Sequence, residues 1–218
     1  MPDITANTTD GRQASGLNPN WNNAHDAVGQ SNPNTTASSL TMVARYEITS
    51  ARGGTSYYLG RGFFDFDTSG ITSNVASATF RFTVRTNKLC TPLVIVKSGH
   101  DPSTVTDDWF STWLTGQSIT LSGWGQGDVT PYSGITSLPS GDTVWEFTLN
   151  SDALADLRDL SSFKICLMHE NDYRDIAPTS GTLRTGLYFA EDSSKKPEIE
   201  YTLATVATDN AVFFGCNF

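Results

Sequence analysis

Residues 76–85, Ala-Ser-Ala-Thr-Phe-Arg-Phe-Thr-Val-Arg, alternate apolar and polar side chains without a break. A period of two puts Ala76, Ala78, Phe80, Phe82 and Val84 on one side of an extended chain and Ser77, Thr79, Arg81, Thr83 and Arg85 on the other. Such a strand needs one dry face and one wet face, as an antiparallel sheet provides. The pattern recurs from Leu40, where Met42, Ala44, Tyr46 and Ile48 share a side opposite Arg45 and Glu47. Further strands are predicted at 57–66, with Gly60 and Gly62 marking a bulge or the close approach of another layer. Others fall at 92–97, 117–121, 143–149, 162–169, 184–190 and 197–203, with Gly, Pro, Ser and Asp turns between them.

Helical signals are few. Asn150 or Ser151 caps a short helix over 151–159 whose apolar side is Ala153, Leu154 and Leu157. Trp109 and Trp113, four residues apart, suggest a helical turn over 106–114. Trp21, Ala24 and Val28 suggest another, or a loop pinned by Trp21. About nine strands with one or two short helices read as an all-β antiparallel β-sandwich of jelly-roll type. The expected organisation is an N-terminal arm over 1–9, one sandwich domain over 10–204 and an apolar tail over 205–218.

Composition fits a strand-and-turn protein, because only 17% of the 218 residues are charged. The net charge of −9 repels phosphate backbones and argues against nucleic acid as a partner. No apolar run is long enough to cross a membrane, and no signal sequence is evident, so membrane insertion and secretion are not expected. Cys90, Cys166 and Cys216 are too sparse for a disulfide framework. They read as buried thiols, with a Cys90–Cys166 bridge as the alternative in an oxidising environment.

Three segments carry a resemblance: RGFFDFDTSGI at 61–71, ASATFRF at 76–82 and GLYFAEDSSKKPEIEYTL at 186–203. Together they resemble the DNRLRE-type and related carbohydrate-binding-like jelly-roll modules. Asp10-Gly11, Trp21-Asn22-Asn23-Ala24 and Gly29 are similar to the opening of versions found in virion structural proteins. Ala190-Glu191-Asp192 departs from the family pattern. The resemblance implies a virion location and a capsid decoration or fibre subunit without catalytic activity. It also implies a homo-oligomer or multi-copy assembly, a capsid or tail protein as partner, and adhesion to a host surface or glycan. A carbohydrate-binding module of a surface protein is the alternative it leaves open.

Candidate residues divide by chemistry. Trp and Tyr rings pack on the apolar faces of sugars, so Trp109, Trp113, Trp124, Tyr132 and Tyr173, all in loop-rich stretches, form the expected glycan or partner surface. Trp145 alternates with Phe147 and Leu149 and belongs to the core. Val212, Phe213, Phe214 and Phe218 make the chain end apolar; it packs on its own domain or docks on a partner. Asp65, Asp67, Glu191 and Asp192 offer oxygens of the kind Ca²⁺ takes, against the reading that the Asp pair caps a turn. No other cofactor is expected. His25, His100 and His169 lack a second ligand at metal spacing. GWGQG at 123–127 lacks the strand-then-helix setting of a nucleotide loop. Glu146 and Glu170 would serve as a glycosidase pair only if a cleft brought them together.

Overall fold

A computed structural model describes residues 1–26, 30–34, 42–51, 54–86, 89–101, 123–138, 143–179 and 181–205. The expected helical turn at 106–114, the strand at 117–121 and the tail from 206 lie outside the described residues.

Two antiparallel sheets pack face to face. The first has the order β1 (Asp3–Thr5), β11 (Glu198–Leu203), β6 (Val75–Thr86) and β8 (Val144–Thr148). The second runs β3 (Gln30–Asn34), β2 (Gly11–Ala14), β5 (Gly54–Asp67), β9 (Ser162–His169) and β7 (Leu93–Lys97). β4 (Met42–Ala51) pairs with the first half of β5, and β10 (Thr182–Leu187) joins β4 to the end of β6, tying the sheets at one end. The helices are α1 (Trp21–His25), α2 (Ser151–Asp159) and α3 (Glu170–Tyr173). None among the described residues is long and apolar enough to cross a membrane.

The alternation in β6 is realised from Ala78 onward: Ala78, Phe80, Phe82 and Val84 are buried, whereas Ala76 at the strand's start is exposed. Across from them lie Phe64, Phe66, Phe163 and Ile165 of the second sheet, while Trp145, Phe147 and Ile199 flank them within their own sheet. Ring centroids meet at 5.4 Å for Phe64–Phe80 and 5.9 Å for Phe82–Trp145. Each fully buried side chain of this size contributes about 1.5–3 kcal/mol by leaving water.

Around β7, β9 and the second half of β5 the second sheet buries apolar side chains on both faces. Its inner side faces the first sheet; its outer side carries a second cluster of Phe63, Val94, Val96, Trp124, Val129, Cys166, Met168 and Tyr173. This double burial explains why 92–97 and 162–169 read as nearly unbroken apolar runs rather than alternating ones. The segment 130–136 runs beside β7, where Lys97 N–H donates to Thr130 O at 2.9 Å and Thr136 N–H to Leu93 O at 2.8 Å. Those bonds cover an otherwise open sheet edge.

The partner exchange along β5 positions the site described next. Gly60 lies opposite both Arg45 of β4 and Ala14 of β2, while Phe63 lies opposite both Gly11 of β2 and Cys166 of β9. β4 and β9 therefore share one edge of β5, and the handover falls at Arg61, between the two glycines.

Residues 3–5, within the expected N-terminal arm, form β1, which extends the first sheet; Ala6 is buried and its N–H donates to Pro197 O at 2.8 Å. Pro33 belongs to β3, an edge strand, where proline is tolerated. Cys90 and Cys166 are buried free thiols, as expected, and not the bridge left open as the alternative.

Candidate functional site

The described aromatic candidates do not form an exposed platform. Trp124 and Tyr132 are 2% and 0% exposed, and Tyr173 is 4% exposed. Loop composition suggested exposure, but the 123–138 segment folds down onto the sheets. Trp124 and Tyr173 join the outer cluster, and Tyr132 stacks on Phe163 at 5.0 Å in the main core. Trp109 and Trp113 lie outside the described residues, as do Val212, Phe213, Phe214 and Phe218.

Three of the four acids offered for Ca²⁺ make other bonds. Asp65 is buried and accepts from Asn7 Nδ2 at 2.5 Å and Thr9 Oγ1 at 2.7 Å. Asp67 accepts from the Ser69 amide and hydroxyl at 3.0 and 2.6 Å, and these bonds hold its carboxyl below the usual range. Asp192 does the same with Ser194, at 3.0 and 2.9 Å. Glu191 is exposed, and partial burial raises its carboxyl. Among the described residues, no three His, Cys, Asp or Glu side chains are grouped to hold a metal ion. The turn-capping reading of Asp67 is the one the structure realises.

The most concentrated polar chemistry surrounds Arg61, which the sequence did not single out. From its handover position on β5, Arg61 points away from the core, yet it is fully buried. Its Nε donates to Asp172 Oδ2 at 2.8 Å and its Nη2 to Asp172 Oδ1 at 2.7 Å. Nη2 also donates to His25 O at 3.0 Å, and the guanidinium carbon lies 5.2 Å from the Trp124 ring centroid. Bidentate geometry adds strength and directional specificity, and burial makes the loss of either partner strongly destabilising.

α1 and α3 deliver the remaining groups. Asn20 caps α1 by accepting from Asn22 N–H at 2.9 Å, which fixes Trp21 and His25 one turn apart. His25 stacks on Trp124 at 4.2 Å and on Trp21 at 5.6 Å. Its Nδ1 lies 2.8 Å from Asp26 Oδ1 and its Nε2 lies 3.0 Å from Asp172 O, so each ring nitrogen faces an oxygen. Trp21 Nε1 donates to Asp175 Oδ1 at 2.7 Å, and Asp175 holds a left-handed backbone, φ 53°. Gly123 N–H donates to Asp26 Oδ2 at 2.8 Å. Four separate chain segments meet here, and the carboxylate filling the Arg61 fork belongs to the protein itself.

Asp10 is a second buried acid. Its Oδ2 accepts from Ala190 N–H at 3.0 Å, while Oδ1 has no hydrogen-bond partner among the described residues. Burial pushes its carboxyl up to about 8, and the charges of Glu191 and Asp65 add to the rise. Asp10 thus latches the turn after β10 to the start of β2 largely as a neutral acid near neutral pH.

Ser98 and His100 have the look of a nucleophile–base pair, with Oγ and Nδ1 2.8 Å apart. Burial, helped by the nearby Lys164 ammonium, drives the imidazole down to about 3. A base that weak cannot accept a serine proton efficiently near neutrality. Lys164 Nζ donates to His100 O at 3.0 Å and edges an open groove of about 380 Å³.

Glu146 and Glu170 are not brought together. Glu146 stands on β8 in the first sheet and pairs with Arg81 Nε at 2.9 Å; Glu170, in α3, pairs with Arg174 at 3.0 Å. Arg81 also meets Glu198 at 3.4 Å and Glu200, so it holds three carboxylates from two flanking strands. No family model matches this chain, and no curated protein matches it.

Proposed function

We propose that this chain is a non-catalytic structural subunit of a virus particle, a capsid decoration or fibre subunit present in many copies. The observation that supports the reading is the use made of its polar groups. Arg61, Asp172, His25, Asp10 and Asp65 are all buried, and each fastens one chain segment to another. A scaffold that must keep its shape in an assembly benefits from such cross-ties, because breaking one partner of a buried pair is strongly unfavourable. The segments resembling carbohydrate-binding-like jelly-roll modules fall on β5, β6 and the β10–β11 region, the frame of both sheets.

Attachment is assigned to the apolar chain end at 211–218. The test is quantitative mass spectrometry of purified particles, with the full chain and with residues 211–218 deleted. The full chain is expected at a fixed multiple of the major capsid or tail protein. The deleted chain is expected to keep its melting temperature and to be missing from particles. Normal incorporation of the deleted chain overturns the attachment claim; absence of the full chain from particles overturns the function.

A further inference from the structure

The end of β7 and the start of β9 frame the groove of about 380 Å³, whose walls include Lys97, Lys164, Ser161, Ser162, Tyr132 and Leu160. Its two cations differ. Lys97 Nζ is paired with Asp156 Oδ2 at 2.8 Å, and the Tyr132 hydroxyl donates to the same carboxylate. Lys164 Nζ donates to the His100 carbonyl, and among the described residues it has no carboxylate within ion-pair distance. An ammonium carries three donors, so Lys164 has capacity left for an incoming oxygen anion. The hydroxyls of Ser161 and Ser162 are likewise uncommitted among the described residues.

The neighbouring acids are already occupied. Asp65 lies directly across from Lys164 in register, but Asn7 and Thr9 take its oxygens; Asp67, across from Ser162, is bound by Ser69. Asp101 adds a negative charge near His100. These charges weaken the field at Lys164 without cancelling its short-range donors. Leu160 adds an apolar wall against which C–H groups can pack.

We propose that this groove binds the carboxylate of an acidic saccharide, with Lys164 taking the charge and Ser161 and Ser162 taking ring hydroxyls. The surrounding acids keep each contact weak. The groove therefore suits a repeating acidic polymer met by many copies of the subunit, where linked weak contacts add up. The inference goes beyond the assembly role and does not depend on it, because purified protein suffices to test it.

Amide chemical shifts of isotope-labelled full-length protein would be followed during titration with trigalacturonate, with neutral trigalactose and with inorganic sulfate. Trigalacturonate is expected to shift Gly99, Ser161 and Ser162 in a saturating manner, and the other two ligands to act at least about tenfold more weakly. Lys164→Met, which keeps the alkyl stem, is expected to cut trigalacturonate affinity about tenfold with the rest of the spectrum unchanged. Lys164→Gln provides the same test should the Met variant fold poorly. No response to trigalacturonate, equal binding of the neutral trimer, equal binding of sulfate, or undiminished binding by a folded Lys164 variant each overturns the proposal.

Discussion

Arg61 and Asp172, 111 residues apart in the chain, meet through two parallel hydrogen bonds of 2.8 and 2.7 Å in a site closed to water. Removing either partner strands a buried charge. Asp172→Ala is expected to lower unfolding free energy by about 3–5 kcal/mol. The double variant Arg61→Met/Asp172→Leu is expected to lose clearly less than the sum of the two single changes. Urea unfolding followed by tryptophan fluorescence measures both, and strictly additive losses would show that the pair is not the unit of stability.

Asp10 gives the fold a pH dependence. In the unfolded chain its carboxyl ionises near the usual 3.8; in the folded chain it holds its proton until about 8. Its contribution is fully present below about 4, declines as pH rises and levels off above about 8. Asp10→Asn cannot ionise, so its melting temperature relative to the parent protein should climb across that window. A gain of roughly 5 °C or more at pH 9 over the difference at pH 5 is the expected scale. A difference that stays flat with pH in differential scanning calorimetry would contradict the buried neutral acid.

Trp124 is a packing residue on this structure, held between His25, Arg61 and the outer face of the second sheet. Trp124→Ala is expected to cost about 3–5 kcal/mol, the range for emptying a buried aromatic site. A variant with unchanged stability but lost glycan binding would restore the surface role expected from the loop composition.

Burial pushes the thiols of Cys90 and Cys166 well up from their ordinary range. Iodoacetamide at pH 8 should leave both unmodified in the native protein and modify both in denaturant, as read by peptide mass spectrometry. Native-state labelling of either would show that its cover opens.

What could be read from the sequence depended on how each sheet face is covered. β6 was legible because its sheet has one wet face, so Phe80 and Arg81 declare opposite sides. β7 and β9 were legible as apolar runs for the opposite reason, with Val94 and Ile95 both buried. α2 announced itself through the Asn150 cap. The short strands β1, β2 and β3 were not legible: three to five polar residues such as Gly11–Ala14 carry no period, and only the neighbouring strand makes them strands. The Arg61 site was hidden for a related reason. An arginine between two glycines looks solvated until α1, α3 and Trp124 close over it, and no local pattern ties position 61 to 172.

The pairing of β1 with β11 places Asp3 beside Glu200, so both ends of the described fold leave from one edge of one sheet. Tension applied between those ends acts across that ladder and not along it. It opens the Tyr201–Pro2 bond first and then separates the strands pair by pair, as a zip opens. Held at both ends, the chain would yield there at low force, leaving the core of Phe80 and Phe82 closed. Tethered at one end only, it carries no tension between its ends, and the β1–β11 ladder stays closed.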